Sequence, residues 1–355
     1  MRARVAAIVE RVWRSDDAWS RLCRSGLGPL AALYGGAIAL RNAAYDRGWL
    51  RVVRIPALVV SVGSLAVGGS GKTPLSLWMA ERLAAQGYRV AIVARGYHRR
   101  RRGLVVVGVG RGPLVGPDEG GDEAVMLARR FPGPVIVAER RGAAAAHACA
   151  ALGSDAIVLD DGFQHRALHR DVDLVLVASE LRGVRLLPAG PLREPWSALR
   201  RADAVLTAGP PPGNAQGVPV FRIRTRATGL VGVRDGVWVE ERLEALGGAS
   251  VVAVTGIARP ERFLSTLSAW GIRVTRHLAF PDHHRYRGAD VQRIVEASCG
   301  SPVITTEKDL VKLERWPALA GARALRLALE VEEEEQLLAL LRAADRARQV
   351  ASRPD

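Results

Sequence analysis

Short apolar runs alternate with helix-compatible segments over the first two thirds of the chain. Ala- and Leu-rich stretches between the runs are long enough to form helices. Short continuous apolar runs predict strands that are buried on both faces, and their alternation with helices predicts a parallel sheet. We therefore predict a doubly wound, mostly parallel α/β domain. The strand candidates are ALVVSVG, RVAIVAR, PVIVAE, DAIVLDD, VDLVLVAS and DAVLTAG.

The pattern changes near Val218, where short alternating segments are joined by turn residues. The segments VPVFRIRT, TGLVGV and GVWVEE predict antiparallel strands, and a second α/β pattern runs from VVAVTG to the Glu-rich helix candidate VEEEEQLLALLRAADRARQ. We therefore predict a second, smaller α/β domain joined to the first by short antiparallel strands. The predicted parts are an N-terminal helical segment at 1–45, a core domain at 46–225 and a C-terminal domain at 226–355.

The N-terminal part contains an apolar run, GLGPLAALYGGAIAL, between Ser25 and Arg41. Its fifteen residues are fewer than the ~20 that a helix needs to cross a bilayer. It begins too far into the chain for an ordinary secretory signal. Two readings remain: a helix that lies on a membrane surface, and a helix buried in the core.

The composition is that of a folded enzyme, with 48% hydrophobic and 25% charged residues in 355. The net charge of +15 indicates an anionic partner, which could be nucleic acid, an acidic membrane or a phosphorylated substrate. Three cysteines without a C-x-x-C pair suggest neither a disulfide framework nor a zinc site and fit a reducing cytoplasm. Only Lys72, Lys308 and Lys312 are lysines, so nearly all of the positive charge is arginine.

A glycine-rich loop, VGGSGKTP, follows the first strand candidate and precedes a helix candidate. In a phosphate-binding loop, backbone N–H groups surround the phosphates, a lysine neutralises their charge and a hydroxyl reaches Mg²⁺. Ala66 occupies the position of the first glycine in the usual pattern. The order of strand, loop and helix nevertheless predicts a P-loop NTPase-like fold that binds a nucleoside triphosphate. The predicted nucleotide-binding residues are Gly68, Gly69, Ser70, Gly71, Lys72, Thr73 and Pro74.

Two adjacent carboxylates, Asp160 and Asp161, end the strand candidate in DAIVLDDGFQH. In a P-loop fold, an acidic residue at this strand end can hold Mg²⁺ opposite the hydroxyl of Thr73. An Asp pair at a strand end can also merely cap a turn, but the nearby phosphate loop favours the metal. We therefore predict Thr73, Asp160 and Asp161 as Mg²⁺ ligands.

Seven segments in a fixed order, from about residue 56 to 310, resemble the tetraacyldisaccharide 4'-kinases of lipid A biosynthesis. DDGFQH and LLPAGPLREP are the most specific of them. The resemblance implies transfer of the ATP γ-phosphoryl group to the 4'-hydroxyl of tetraacyldisaccharide 1-phosphate, which gives lipid IVA. It also implies an N-terminal segment on the cytoplasmic face of the bacterial inner membrane. The segments are VGGSGKTP, ARGY, GDEAVMLA, LDDGFQHRALHRDVDLVL, LLPAGPLREP, FPDHHRY and TTEKD.

The resemblance also implies roles for individual residues. Asp122 of GDEA is the expected base, supported by His283, which we prefer to His284, and Lys72 is expected to act on the ATP phosphates. In TTEKD the residues favour a helix start with Thr306 as cap, and no role follows for Lys308. Arg95 and Tyr97 are expected at the ligand-binding edge of the sheet. The expected contacts to substrate or phosphate are Arg95, Tyr97, Gln164, Arg193 and Glu194.

Three other function classes compete with the lipid kinase. The first alternative is a P-loop regulatory or metallochaperone NTPase, although no Cys/His cluster of suitable spacing is visible. A nucleic-acid-binding protein would agree with the charge, but no DNA- or RNA-binding module is recognisable, so we expect no nucleic acid partner. A nucleoside or small-sugar kinase would share the mechanism without needing a membrane segment. We expect a monomer.

Overall fold

The structure is a computed structural model that describes residues 2–68, 71–178, 184–211, 213, 215, 217–246 and 248–351. Side chains are described from residue 8 onwards within these ranges, except that of residue 245. Two predicted phosphate-loop residues, Gly69 and Ser70, lie outside the described residues.

Helices and strands alternate along most of the described chain, as the hydrophobic pattern predicts. The helices are α1 (Arg2–Arg14), α2 (Ala18–Gly26), α3 (Gly28–Asp46), α4 (Lys72–Ala85), α5 (Pro117–Gly120), α6 (Asp122–Arg130), α7 (Arg141–Leu152), α8 (Pro260–Ala269), α9 (Gly288–Ser298), α10 (Glu307–Leu313) and α11 (Glu334–Ala351). The strands are β1 (Leu58–Gly63), β2 (Val90–Ala94), β3 (Val105–Val109), β4 (Pro134–Val137), β5 (Ala156–Asp160), β6 (Val172–Leu176), β7 (Ala204–Thr207), β8 (Val220–Arg234), β9 (Val237–Glu241), β10 (Val251–Thr255), β11 (Val274–Ala279), β12 (Val303–Thr306) and β13 (Arg323–Val331).

The chain divides into two compact units. The first unit comprises residues 1–72, 155–224 and 331–355, and the second comprises 73–154 and 225–330. Helix α11 thus belongs to the first unit, although it comes last in the sequence. The three-part division into 1–45, 46–225 and 226–355 stays a prediction about domains.

The first unit is built around five parallel strand segments. Strand β1 lies between β5 and β6, followed by β7 and the beginning of β8. Every residue of β1, β5 and β6 is buried, which explains their continuous apolar sequences. Val62 lies opposite Asp160 in the register, so the phosphate loop and the aspartate pair both follow the same edge of the sheet.

The second unit contains two groups of strands. Strand β4 pairs in parallel with β2 and antiparallel with β3, while β10 and β12 lie in a second parallel group flanked by β11 and β13. Together with the first unit, these pairings confirm the predicted mostly parallel α/β fold. The core of the second group includes fourteen buried residues around β10, α9 and α10.

One detail of the predicted antiparallel segments is wrong. VPVFRIRT and TGLVGV form a single strand, β8, of 15 residues. Its beginning pairs in parallel with β7, and only residues 230–234 pair antiparallel with β9. Apolar residues at the beginning extend a buried parallel sheet, which alternation alone did not reveal. Asp235 and Gly236, with φ angles of 49° and 74°, form the tight turn into β9.

The N-terminal helices α1, α2 and α3 belong to the first unit. Ala31 is the buried residue in α3, whereas leucines on the other side of the helix are more than half exposed. This exposure contradicts the reading of α3 as a buried core helix. Among the described residues, none of the helices combines the length and apolarity that crossing a membrane requires.

Candidate functional site

The phosphate loop joins β1 to the first turn of α4. Gly68 and Gly71 have φ angles of 103° and 87°, which residues with a side chain rarely adopt. Lys72 begins α4, and its Nζ lies 3.3 Å from the carbonyl oxygen of Gly68. Thr73 and Pro74 follow in the first turn of the same helix. Strand, glycine turn and helix therefore occur in the order that the motif predicts.

Ala66 departs from the usual motif without disturbing the loop. It does not adopt a positive φ angle, and it forms an antiparallel bridge with Leu192 of LLPAGPLREP. Next to it, the N–H of Val67 donates to the carbonyl oxygen of Pro191 at 2.9 Å. A glycine is therefore not required at position 66, because the backbone there is extended and paired.

Asp161 is the centre of an ion cluster beside this loop. Nη1 of Arg193 lies 2.9 and 2.8 Å from the two carboxylate oxygens, and Nζ of Lys72 lies 3.6 Å from Oδ1. Gln164 accepts from the same Arg193 nitrogen at 3.3 Å and donates to the carbonyl oxygen of Ser64 at 3.1 Å. The structure thus brings together four residues of three separate motifs in the first unit.

Asp160 occupies the end of β5 and is only 5% exposed. Two adjacent carboxylates supply the hard oxygen ligands that Mg²⁺ prefers, so the donor set fits this ion. The pair is not part of a larger set, because the described residues contain no group of three or more His, Cys, Asp or Glu side chains that could hold a metal ion.

Glu194 is fully buried and connects the segment LLPAGPLREP to α3. Its Oε2 accepts from Asn42 of α3 at 2.8 Å and from Arg201 at 2.9 Å. The hydroxyl of Tyr34, also in α3, donates to the carbonyl oxygen of Arg193 at 3.0 Å. Glu194 therefore fixes the backbone next to Arg193. Its buried carboxylate does not have the exposed position that a direct contact to phosphate requires.

In the second unit, Asp122 and His283 form a hydrogen-bonded pair although 161 positions separate them. Nδ1 of His283 lies 2.9 and 3.1 Å from the two carboxylate oxygens. Asp122 is the first residue of α6 and is 7% exposed. His284, the neighbour in the sequence, instead contacts Asp290 at 3.0 Å and stacks on Phe280. The geometry favours His283 as the partner of Asp122.

Two lysines complete the surroundings of Asp122. Nζ of Lys308 lies 3.0 Å from Nε2 of His283, and Nζ of Lys312 lies 3.6 Å from Oδ2 of Asp122. Burial alone would raise the pKa of Asp122, but the hydrogen bond from His283 and the charges of Lys308 and Lys312 outweigh it and hold this pKa well below its usual range. Asp122 is therefore ionised at neutral pH.

The match to known proteins covers nearly the whole chain. Residues 23–345 match the family described as tetraacyldisaccharide-1-P 4'-kinase, abbreviated LpxK. The chain belongs to this family. The 4'-kinase family includes a relative from Anaeromyxobacter sp. (strain K), named tetraacyldisaccharide 4'-kinase, that is 45% identical over 90% of both chains. Another, from Azoarcus sp. (strain BH72), is 42% identical over 84% of this chain and 85% of its own.

A solved member of the 4'-kinase family has a similar structure. It is the "apo" form LpxK from Aquifex aeolicus in complex with ATP, with 34% sequence identity and a TM-score of 0.80. The similarity covers 91% of this chain and 99% of that chain. The shared fold confirms the predicted α/β class.

A pocket in the second unit opens beside the aspartate of this 4'-kinase. Gly121 has a φ angle of 89°, and a Cβ there would lie 3.0 Å from the carbonyl oxygen of Tyr97. The backbone of Tyr97 thus lies close to the start of α6, and the ring of Tyr97 lies 5.3 Å from the ring of His283. Arg95 is exposed just after β2. The pocket is lined by Tyr97, His98, Pro117, Asp118, Asp122, His283, Arg285, Tyr286, Lys312 and Arg315.

The basic run at His98–Arg102 is largely occupied by pairs within the second unit. Arg99 contacts Glu139 at 2.8 Å, and Arg101 contacts Glu119 at 3.1 Å. These pairs favour a local structural role over contact with an external anion.

The sequence did not reveal several residues that support the two clusters of this 4'-kinase, the ion cluster around Asp161 and the cluster of His283, Lys308 and Lys312 around Asp122. Asn42 and Arg201 were not predicted, because only the fold brings them to Glu194. Lys312 could have been found, since it lies four positions after Lys308 and is one of only three lysines in the chain.

Proposed function

We propose that the chain transfers the γ-phosphoryl group of ATP to the 4'-hydroxyl of tetraacyldisaccharide 1-phosphate, giving lipid IVA in lipid A biosynthesis. The observation that carries this proposal is the buried Asp122–His283 pair, beside a pocket, in a member of the 4'-kinase family. ATP as donor is supported by the related "apo" form LpxK solved in complex with ATP.

The phosphate loop is the proposed ATP site. Gly68, Gly69, Ser70 and Gly71 offer backbone N–H groups, while Lys72 neutralises the phosphates and Pro74 continues the helix. Mg²⁺, held by Thr73, Asp160 and Asp161, would neutralise charge that develops on the transferred group. Arg193 is a second cation for the phosphates, and Gln164 orients it through their hydrogen bond. Glu194 supports Arg193 from its buried position.

Asp122 is the proposed base for the sugar hydroxyl. Phosphoryl transfer depends mainly on positioning and charge neutralisation, so a weakly basic carboxylate suffices if it is correctly oriented. The depressed pKa keeps Asp122 ionised and able to accept the hydroxyl proton, and His283 fixes its orientation. Tyr97, at the pocket wall, and Arg95, at the end of the second strand, are the proposed substrate contacts.

The N-terminal helices are proposed to bind the anionic cytoplasmic face of the bacterial inner membrane. Leu30, Leu33 and Leu40 of α3 are 54%, 73% and 68% exposed and recur at helical spacing along one side. Trp19 and Trp49, at 48% and 70% exposure, are of the type found at membrane interfaces. A helix with such a face can lie in the interface without crossing it. The chain is proposed to act there as a monomer, without nucleic acid.

Vesicle flotation tests the membrane proposal. Replacing Leu30, Leu33 and Leu40 by Gln should lower partitioning into phosphatidylglycerol-containing vesicles at least ~10-fold, because each buried leucine contributes roughly 1.5–3 kcal/mol. The control replaces two exposed apolar residues outside these helices, Leu114→Gln and Val237→Gln. Equal flotation of the triple variant and the wild type would refute the membrane role of α3.

The kinase proposal is tested with γ-labelled ATP, Mg²⁺ and tetraacyldisaccharide 1-phosphate in detergent. We expect label in the lipid, and a fall of roughly 10²–10⁴-fold in Asp122→Asn, which loses the proton acceptor. Lys72→Ala should also lose activity, through weaker ATP binding. The matched pair is His283→Gln, expected to lose activity, and His284→Gln, expected to retain it, because only His283 contacts Asp122.

Two results would contradict the kinase proposal. Release of label only as free phosphate would favour the regulatory NTPase. Transfer to a nucleoside or a simple sugar in preference to the lipid would favour the small-molecule kinase.

A further inference from the structure

Lys308 occupies a position that helix stability does not explain. Strand β12 ends at Thr306, whose side chain caps α10 by accepting from the N–H of Asp309 at 3.1 Å, as the sequence predicts. Lys308 follows in the first turn, where the partial positive charge of the N–H groups disfavours a cation. Its side chain is nevertheless only 15% exposed. Other groups must therefore hold this charge in place.

Those groups come from two other segments of the second unit. Nζ of Lys308 lies 3.3 Å from Oε1 of Glu123 and 3.2 Å from Oδ1 of Asp282. Burial alone would lower the pKa of Lys308, but Glu123, Asp122 and Asp282 raise it above its ordinary value. Lys308 is thus a protonated ammonium that joins GDEA, PDHH and TEKD.

The contact between Lys308 and His283 determines the state of the imidazole. An ammonium group has three donors and no acceptor. At 3.0 Å from Nζ, Nε2 of His283 must therefore accept, so it carries no proton. The single proton of a neutral imidazole then lies on Nδ1, which faces Asp122 at 2.9 Å. His283 donates to Asp122 in this state and in no other that satisfies both contacts.

We infer that Lys308 is a positioning residue of the kinase, which fixes the Nδ1–H tautomer of His283 and through it the orientation of Asp122. This inference rests on the proposed role of Asp122 as base. Without Lys308, the imidazole could protonate on Nε2 or turn its ring, and the carboxylate would lose its fixed donor. The effect is analogous to outer groups that orient metal-ligating histidines, whose loss costs about 10–100-fold in activity.

The use of lysine at this position agrees with the composition. Only three of the 51 basic residues are lysines, and each lies within 4 Å of a carboxylate in one of the two clusters. A compact ammonium group can donate to an imidazole and two carboxylates at once, whereas the planar guanidinium group of arginine holds its N–H donors in one fixed arrangement. Lys312 differs from Lys308, because it contacts Asp122 and Asp309 and not His283.

Nitrogen-15 NMR of the histidine side chains tests the inference directly. The 355-residue chain has seven histidines, and the His283 signals are assigned by their loss in His283→Gln. We expect the wild type to show a protonated Nδ1 and an unprotonated Nε2 at neutral pH. Lys308→Met, which keeps the length of the stem, should shift His283 toward the other tautomer or the doubly protonated form. Lys308→Arg should keep part of the wild-type signature.

Kinetics supply the second readout. Lys308→Met should lower kcat about 10–100-fold and leave the KM for ATP within about twofold of the wild type, because Lys308 acts on His283 and Asp122 and not on the phosphate loop. The groups facing Asp122 are His283, Lys308 and Lys312, and removal of one positive charge raises the pKa of Asp122. The acidic limb of the kcat profile should therefore move to higher pH. Tyr97, His98 and Asp282, whose Oδ2 lies 3.9 Å from Nε2, also face His283 and are unchanged in the variant.

Arg129→Met serves as the control for general destabilisation. Arg129 is a partly buried cation of α6 whose Nη2 lies 2.7 Å from Glu314, in the same unit as Asp122. The Arg129→Met variant should have a lower melting temperature but unchanged His283 signals and an unchanged acidic limb of the kcat profile. Unchanged His283 signals in a folded Lys308→Met would overturn the inference while leaving the kinase proposal intact. Full kinase activity of Asp122→Asn would instead overturn the kinase proposal.

Discussion

Asp161 in the first unit and Asp122 in the second are both carboxylates surrounded by cations, but they differ in burial. The side chain of Asp161 is 29% exposed, and its partners Arg193 and Lys72 are 25% and 11% exposed. The side chain of Asp122 is 8% exposed, and its partners His283, Lys308 and Lys312 lie between 7% and 15%. Asp161 and Arg193 are therefore open to solvent and ligand, whereas Asp122 is closed except at the pocket.

This difference indicates different roles for the two sets of ion pairs. Partly exposed pairs contribute little to stability, at most about 1 kcal/mol, so their members can exchange partners at low cost. In the proposed ATP site, Arg193 and Lys72 are the cations that would contact the ATP phosphates, and Asp161 pairs with both of them in the structure. Removing one member of a buried pair costs several times more, because the other charge is left uncompensated. The cations around Asp122 are therefore permanent parts of the structure.

Among the effects that follow from this comparison, the largest concerns Arg193, and its absence would contradict the different roles of the two clusters. If Arg193 exchanges Asp161 for phosphate, Arg193→Met should raise the KM for ATP roughly 10–100-fold, the value of one hydrogen-bonded charge contact. Arg193→Lys should recover part of the loss. The exposed neighbour Arg200, replaced by Met, is the matched control. An unchanged KM for ATP in Arg193→Met would mean that Arg193 serves only to hold Asp161.

Local motifs explain why much of the first cluster could be predicted from the sequence. VGGSGKTP and DDGFQH each follow a buried strand, and the sequence predicted that the aspartate pair lies opposite Thr73 at a P-loop. The structure places both segments at the same edge of the sheet and brings Lys72 to Asp161. The position of Arg193 came from the family resemblance. Ala66 seemed a defect of the motif until its bridge with Leu192 showed that the backbone there is extended.

The second cluster could not be predicted from patterns alone. Asp122 and His283 are 161 positions apart, and nothing in their spacing indicates that α6 and the loop after β11 meet. The family resemblance supplied that pair, but it supplied no role for Lys308. Its role depends on three contacts from two other segments, and such contacts are properties of the packed structure. The length of β8 was also missed, because alternation does not distinguish one long strand from two short ones.

The smallest expected effect compares the stability contributed by the two carboxylates. Asp122→Asn should lower the free energy of unfolding by on the order of 1–3 kcal/mol at pH 7, because Lys308 and Lys312 lose a buried counter-charge. Asp161→Asn should change it by less than ~0.5 kcal/mol, since that site is partly exposed and Asn tolerates its φ angle of 54°. Urea unfolding followed by circular dichroism measures both.

The pH dependence of these differences sharpens the comparison. The folded-state pKa of Asp122 lies below its unfolded value, so its contribution is fully present above that value of about 3.9 and is lost as the pH falls toward the folded pKa. The difference in the free energy of unfolding between wild type and Asp122→Asn should therefore shrink by about 1 kcal/mol between pH 7 and pH 3. A gap that stayed constant over this range would show that Asp122 stabilises the second unit through its shape and hydrogen bonds, and not through its charge. The lysines around it would then be held by Glu123, Asp282 and Asp309 alone.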